Sequence, residues 1–249
     1  MAKNEDWIGG RNPVLEALRS GREIQQILVA EGSNKGVMQQ VIRLAKERKI
    51  DVRFVPKVKI DKVAEGAHQG VAAQVAAYHY YELDDLFKRA EEKGEQPFFI
   101  ILDELEDPHN LGSIMRTADA VGAHGIIIPK RRSVSLTQTV AKASTGAIEY
   151  IPVVRVTNIS QTMEELQKRG LWIFGTDASG SSDYRTMDAE LALALVIGSE
   201  GKGMSRLVRE KCDFLIHLPM IGKVTSLNAS VAASLLMYEV YRKRNPLEN

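Results

Sequence analysis

Two hydrophobic rhythms alternate along the chain. Short, nearly continuous apolar runs bounded by polar or turn residues predict strands at 24–30, 50–55 and 70–78, then at 98–103, 124–129, 150–156, 171–177, 193–198 and 214–219. Between them, apolar residues at helical spacing predict helices at 13–21, 36–49 and 57–66, then at 111–122, 135–147, 160–170, 203–212 and 227–244. The 36–49 stretch places Val37, Val41, Leu44 and Ala45 on one face, and Pro13 and Gly21 sit where a helix starts and stops. Uninterrupted apolar strands are those buried on both faces, so the pattern predicts an α/β protein: a larger domain on a parallel sheet, preceded by a small α/β unit.

The 249 residues suffice for one large domain or two smaller ones. An apolar content of 44% with 26% charged residues excludes wholesale disorder. A single cysteine, Cys212, excludes an internal disulfide framework and a multi-cysteine zinc site. The apolar runs at 97–102 and 191–197 fall well short of a membrane span, and MAKNEDW lacks the apolar core of a signal peptide, which predicts a cytoplasmic protein.

Net charge is only +1, which gives no support to a general polyanion binder. The charge is uneven, however. Residues 1–77 carry 13 Lys and Arg against 9 Asp and Glu, residues 78–96 carry 3 against 6, and residues 97–249 carry 17 of each. This predicts a basic N-terminal domain (1–77), an acidic linker (78–96) with one helix ending near Gly94 and Pro97, and a neutral C-terminal domain (97–249).

Ligands of open α/β sheets bind beyond the carboxyl ends of the strands. Three such ends carry dense polar and glycine clusters. In 103–122, Asn110 either caps a helix starting near Leu111 or offers its amide to a ligand, and Arg116 falls in that helix's second turn. In 196–205, three glycines within six residues make either a tight turn or a loop whose backbone amides meet a ligand. The order is neither that of a P-loop nor GxGxxG. In 218–239, Ser226 is a natural N-cap, and Asn228 starts a helix rich in small residues. No zinc motif, Ser-His-Asp signature or cysteine site stands out. Spacing alone gives an α/β enzyme with an unusual, C-terminally placed ligand loop, and leaves the reaction open.

Taken together and in this order, DPHNLGSIMRTADAVG (107–122), ALVIGSEGKGMS (194–205) and IHLPMIGKVTSLNASVAASLLMYE (216–239) resemble the SpoU/TrmH family of RNA ribose 2′-O-methyltransferases, in the SPOUT superfamily. The resemblance covers 97–244, and residues 6–77 resemble the family's small RNA-binding domain, itself similar to a ribosomal protein. The stretch 129–158 is most similar to the RlmB-type subgroup, which methylates a guanosine of large-subunit (23S) ribosomal RNA.

The resemblance implies a C-terminal domain threaded into a deep trefoil knot, a homodimer, and S-adenosylmethionine as cofactor. Carried over position by position, it implies cofactor contacts at Thr176, Gly198, Glu200, Leu218, Ile221, Ser226 and Leu227, and catalytic roles for Asn110, Arg116, Glu200, Ser226 and Asn228. Arg116 is the group that would act on the 2′-hydroxyl, with Glu200 holding Arg116 or the loop, or pairing with Lys202. Arginine stays protonated, so charge stabilisation suits it better than proton abstraction. RNA contacts are expected from Arg11 and the 41–62 stretch, with 8 Lys and Arg against 3 Asp and Glu, and from Lys130, Arg131, Arg132 and Lys142. The competing readings are a methyltransferase acting on transfer RNA or on ribosomal RNA at a drug site, a non-catalytic RNA-binding assembly factor, and a metabolic enzyme acting on a small nucleotide.

Overall fold

The computed structural model describes residues 7–33, 36–64, 67–223 and 226–247. The end of the helix expected at 57–66, and residues 224–225 within the third motif, lie outside them. The chain divides into two units: Met1–His79 with Ser135–Tyr150, and Tyr80–Val134 with Ile151–Asn249.

The first unit holds β1 (Trp7–Gly9), α1 (Arg11–Arg19), β2 (Ile24–Ala30), α2 (Val37–Glu47), β3 (Asp51–Val55), α3 (Lys57–Asp61) and β4 (Val71–Val75). Its sheet has the order β1-β4-β2-β3, with β2 and β3 parallel and β4 antiparallel to both neighbours. One face of the sheet packs Ile8, Ile27, Val29 and Val71 against Val14 and Leu18 of α1 and Met38 and Val41 of α2. Arg48 is not a free surface cation. Its guanidinium donates to the carbonyls of Leu18 (2.8 Å), Gly21 (3.0 Å) and Arg22 (2.7 Å), satisfying acceptors left open where α1 ends. The basic 41–62 run is therefore partly structural.

Where one continuous C-terminal domain was expected, residues 135–150 form part of this first unit. Their helix α6 (Gln138–Ala143) is shorter than the predicted 135–147, because Thr137 caps its start. A 3-10 turn (Ala147–Glu149) follows. Glu149 and Arg22 form a buried ion pair at 2.7 Å, Tyr150 donates its hydroxyl to Glu16 at 2.7 Å, and Arg22 lies 3.8 Å from the centre of the Tyr78 ring. Burial pushes the Tyr78 phenol up to about 12 and raises the Glu149 carboxyl, against the opposing pull of Arg22.

The second unit begins with α4 (Leu83–Lys93), inside the expected linker and ending at Gly94 with a φ of 66°. Far from being a mere tether, α4 buries Leu86 in the same core as Phe99, Ile101 and Ile127. There follow β5 (Phe98–Leu102), α5 (Pro108–Ala120), β6 (Gly125–Pro129), β7 (Val153–Val156), α7 (Ile159–Lys168), β8 (Trp172–Thr176), β9 (Ser182–Asp183), β10 (Leu193–Ile197), α8 (Arg206–Glu210), β11 (Phe214–His217) and α9 (Ala229–Arg244). All seven strands pair in parallel, in the order β7-β6-β5-β10-β8-β11-β9. Strands β5 and β10 at the centre are buried along their whole length, which explains their unbroken apolar sequences. No helix among the described residues is long and apolar enough to cross a membrane.

His124, fully buried before β6, accepts the Phe98 amide at Nδ1 (3.0 Å), so its proton sits on Nε2, 3.0 Å from Glu95. Burial lowers its pKa from 6.5 to about 4. The unfolded chain therefore takes up this proton first. The stabilisation is complete above pH 6.5 and is lost as pH falls toward 4. The variant His124→Asn, which keeps an acceptor for Phe98, should flatten this part of the stability profile by roughly 2 kcal/mol. Urea unfolding at pH 7, 5.5 and 4 measures the difference between the two proteins.

Candidate active site

The site is built where β5, β10, β8 and β11 end. After β10 the chain doubles back through 198–205. Ser199 and Gly203 exchange two backbone hydrogen bonds of 3.0 and 2.9 Å, and Gly201 and Gly203 have φ values of 78° and 68°. Gly198 is required for space: a Cβ there would lie 2.2 Å from the Gly203 carbonyl carbon. Two carboxylates hold this loop. Asp103, buried just after β5, accepts the Ser205 amide at 2.7 Å. Asp177, just after β8, accepts from Ser179 and from Arg209 of α8, and these hydrogen bonds keep its carboxyl below the usual range.

The three sequence clusters meet at one point. Asp107 caps α5 by accepting the His109 amide, and Pro108 opens the helix, so Asn110 is released from the capping role left open for it. Asn110, 4% exposed, donates from Nδ2 to Glu200 Oε1 at 3.0 Å. Asn228 donates from its own Nδ2 to Asn110 Oδ1 at 3.0 Å and to Glu200 Oε1 at 2.5 Å. Its Oδ1 accepts the amides of Ser230 and Val231, so Asn228, not Ser226, is the N-cap of α9.

A cleft of about 900 Å³ adjoins this cluster. Thr176, Gly198, Glu200, Leu218, Ser226 and Leu227 line it, with apolar walls from Ile197, Met204, Ile216 and Leu236. Ile221 is the exception among the expected cofactor contacts: it is fully exposed and does not line the cleft. Asp103, Asp177 and His217 were not anticipated as site residues. The two aspartates are each the first acidic residue after a strand, a signal the sequence carried. His217 lines the cleft with its Nδ1 buried and lacking a hydrogen-bond partner among the described residues.

Arg116 does not join the cluster. Glu200 pairs with neither Arg116 nor Lys202 among the described residues, because its carboxylate takes the two asparagines and the Ala229 amide (3.3 Å) instead. The helix starts three residues earlier than expected, so Arg116 lies in its third turn. Six residues beyond Asn110, it stands about 9 Å along the axis and about 240° around it. Arg116 is exposed, with no hydrogen bond or ion pair among the described residues. Of the residues expected to meet RNA, Lys130 and Arg131 are exposed and Arg132 pairs with Glu104 at 3.0 Å. Lys142 and Arg11 belong to the first unit, where Arg11 Nε donates to the Gln69 carbonyl.

The asparagine geometry is testable. Asn228→Ala removes a helix cap and should cost about 1 kcal/mol. Asn228→Asp keeps the capping oxygen but sets a second carboxylate against Glu200. Its deficit relative to the parent protein should be larger at pH 7 than at pH 4.5, as read by urea unfolding.

Residues 97–238 match the SpoU rRNA Methylase family, and residues 7–81 match the RNA 2′-O ribose methyltransferase substrate-binding family. A TrmH-family tRNA/rRNA methyltransferase of Bacillus subtilis is 68% identical over 99% of both chains, and one of Staphylococcus aureus is 58% identical over 96% of both. The SpoU methyltransferase AviRb of Streptomyces viridochromogenes, solved with AdoMet, has a TM-score of 0.81 at 27% identity, covering 96% of this chain and 90% of that one. An AdoMet-bound rRNA methyltransferase of Sinorhizobium meliloti gives 0.79 at 26% identity, covering 97% and 88%. The cleft suits that cofactor. Apolar walls fit an adenine ring, a glycine-rich backbone lets polar groups approach closely, and the His217 nitrogen is a buried polar atom left for a ligand. This chain belongs to the SpoU/TrmH family of S-adenosylmethionine-dependent RNA methyltransferases.

Proposed function

We propose that the protein methylates a ribose 2′-hydroxyl of RNA, at a guanosine of the large-subunit ribosomal RNA, with the second unit performing the chemistry and the first unit, residues 135–150 included, holding the RNA. The observation that carries this reading is the hydrogen-bonded meeting of Asn110, Glu200 and Asn228 at the rim of the cleft. A metabolic enzyme has no use for an attached RNA substrate-binding domain, and a passive assembly factor has no use for this cluster beside a cofactor-sized cleft. The ribosomal target rests on the Sinorhizobium rRNA methyltransferase, which aligns over both units.

S-adenosylmethionine, when bound, supplies an electrophilic methyl group. The rest falls to the protein. Thr176, Gly198, Leu218, Ser226 and Leu227 line the cofactor's cleft, and the asparagine–glutamate cluster keeps the 198–205 loop, α5 and α9 in register beside it. Asn110 orients the ribose or its phosphate. Arg116, which has no hydrogen bond or ion pair among the described residues, is available to meet RNA. Its fixed positive charge stabilises the negative charge that grows on the ribose oxygen as the proton leaves. Lys130 and Arg131 contact phosphates. The C-terminal segment of the second unit is taken to thread the trefoil knot that the family resemblance implies.

The functional unit we propose is a homodimer. Val231, Leu235, Tyr238 and Tyr241 leave an apolar stripe exposed along α9, the helix capped by Asn228. Leu235→Glu should turn a dimer into a monomer in sedimentation velocity, and a parent protein that sediments as a monomer would remove the dimer.

In a strain lacking the gene, the parent protein should restore one ribose methylation in 23S rRNA, mapped across ribosomal and transfer RNA, and Arg116→Ala should not. In vitro, Arg116→Ala should lower kcat by 10²- to 10³-fold while S-adenosylmethionine binding stays within twofold. A restored methylation in transfer RNA alone would replace the ribosomal target. Full activity of Arg116→Ala would remove the charge-stabilisation role.

A further inference from the structure

The first unit has a second cleft, of about 700 Å³, lined by Arg11, Glu31, Ser33, Lys57, Asp61 and the 67–70 turn. It lies where the parallel strands β2 and β3 end and where α1 begins. It is built tightly. A Cβ on Gly9 would lie 2.9 Å from that of Ala64, a Cβ on Gly70 would lie 2.9 Å from Ser33 Oγ, and Gln69 is held at a φ of 52°.

Its most specific feature is an aligned carboxylate. His68 is 3% exposed, and its Nδ1 accepts the Gly70 amide at 3.0 Å. The ring proton therefore sits on Nε2 and is directed at Asp61 Oδ1, 2.7 Å away. A buried histidine thus fixes an aspartate that is itself about half exposed. Its second oxygen has no hydrogen-bond partner among the described residues. On the cleft's lining, Arg11 is tethered through Nε to the Gln69 carbonyl, leaving its terminal nitrogens unengaged among the described residues. The cleft thus presents two cations, Arg11 and Lys57, and two carboxylates, Glu31 and Asp61, and none of the four pairs with another.

A site for phosphate alone would not keep two carboxylates in its wall. A nucleobase with adjacent donors on one edge and adjacent acceptors on the other does match a carboxylate and a guanidinium. Among the four RNA bases that is guanine, with N1–H and N2–H₂ for Asp61 and O6 and N7 for Arg11. Lys57 supplies a phosphate contact. Phe54, 53% exposed on the edge strand β3, offers a ring on which a neighbouring base can stack.

We propose that this cleft holds one unpaired guanosine of the RNA, read by Asp61 and Arg11, and that it selects the substrate from outside the methylation site. The inference rests on the RNA-methyltransferase reading above and names a recognition element for it.

The test uses the full-length protein and 5′-fluorescein-labelled hexanucleotides UUGUUU, UUAUUU, UUCUUU and UUUUUU, followed by anisotropy at one fixed salt concentration. UUGUUU should bind about tenfold more tightly than the others. Asp61→Asn preserves an acceptor for His68 but presents an amide to the base, and should erase the preference while leaving S-adenosylmethionine affinity unchanged. Arg11→Gln, which removes neither hydrogen bond of the His68 ring, should reduce the preference independently. Equal binding of all four hexamers overturns the proposal, as does a guanosine preference that survives in both variants. Methyl transfer to total ribosomal and transfer RNA, measured in parallel, separates the two failures. Activity without the Asp61-dependent preference sinks only the guanosine cleft, whereas no methylation of any RNA sinks the enzymatic reading beneath it.

Discussion

A single carboxylate oxygen, Glu200 Oε1, accepts hydrogen bonds from the side chains of Asn110 and Asn228 and from the backbone of Ala229. These donors come from the start of α5 and the start of α9, and Glu200 itself sits in the loop after β10. Hydrogen bonds to an ionised acceptor are shorter and stronger than neutral ones, so one charge fixes the relative positions of three otherwise separate segments. Asn110 keeps one amide hydrogen uncommitted among the described residues, whereas Asn228 is fully employed. Asn228 spends its amide hydrogens on the cluster and its oxygen on the helix, so the cap of α9 and the shape of the loop cannot be altered separately.

The sheet makes this meeting possible. With β5, β10, β8 and β11 adjacent and parallel, their carboxyl ends lie on one edge, and the residues just past them converge. Asp103 and Asp177 use that edge to hold the loop from two sides through Ser205 and Arg209. A loop of three glycines would otherwise be costly to order, since glycine loses the most backbone freedom on folding. The carboxylates and the paired backbone bonds of Ser199 and Gly203 offset that loss and leave a shaped wall along the cleft.

Much of this architecture was legible in the sequence because the central strands are buried on both faces and therefore apolar throughout. β1 and β9, three and two residues long, carried no such pattern. The three site clusters were legible as a set, but their bonding was not: Asn110 and Asn228 are 118 positions apart, and hydrophobic rhythm does not encode which polar side chains pair. The expected Arg116–Glu200 contact failed for a local reason. Asp107 and Pro108 start α5 early, and that shift carries the arginine to another turn and another face. The sequence placed 135–150 in the C-terminal domain because its apolar residues fit a helix equally well in either unit, and it is contacts remote in sequence, such as Glu149 with Arg22 and Tyr150 with Glu16, that put it in the first.

That ownership changes what the protein is as a piece of string. The chain passes between its two units three times, at 79–80, 134–135 and 150–151, so the first unit is a split domain and not a bead on a tether. Val140, Ala141 and Ile148 are buried, and their segment packs on β1 and α1. A cut near residue 78 would therefore strip the cover from the apolar residues of 135–150. Neither unit is one contiguous stretch of this chain, so no single cut divides the two cleanly.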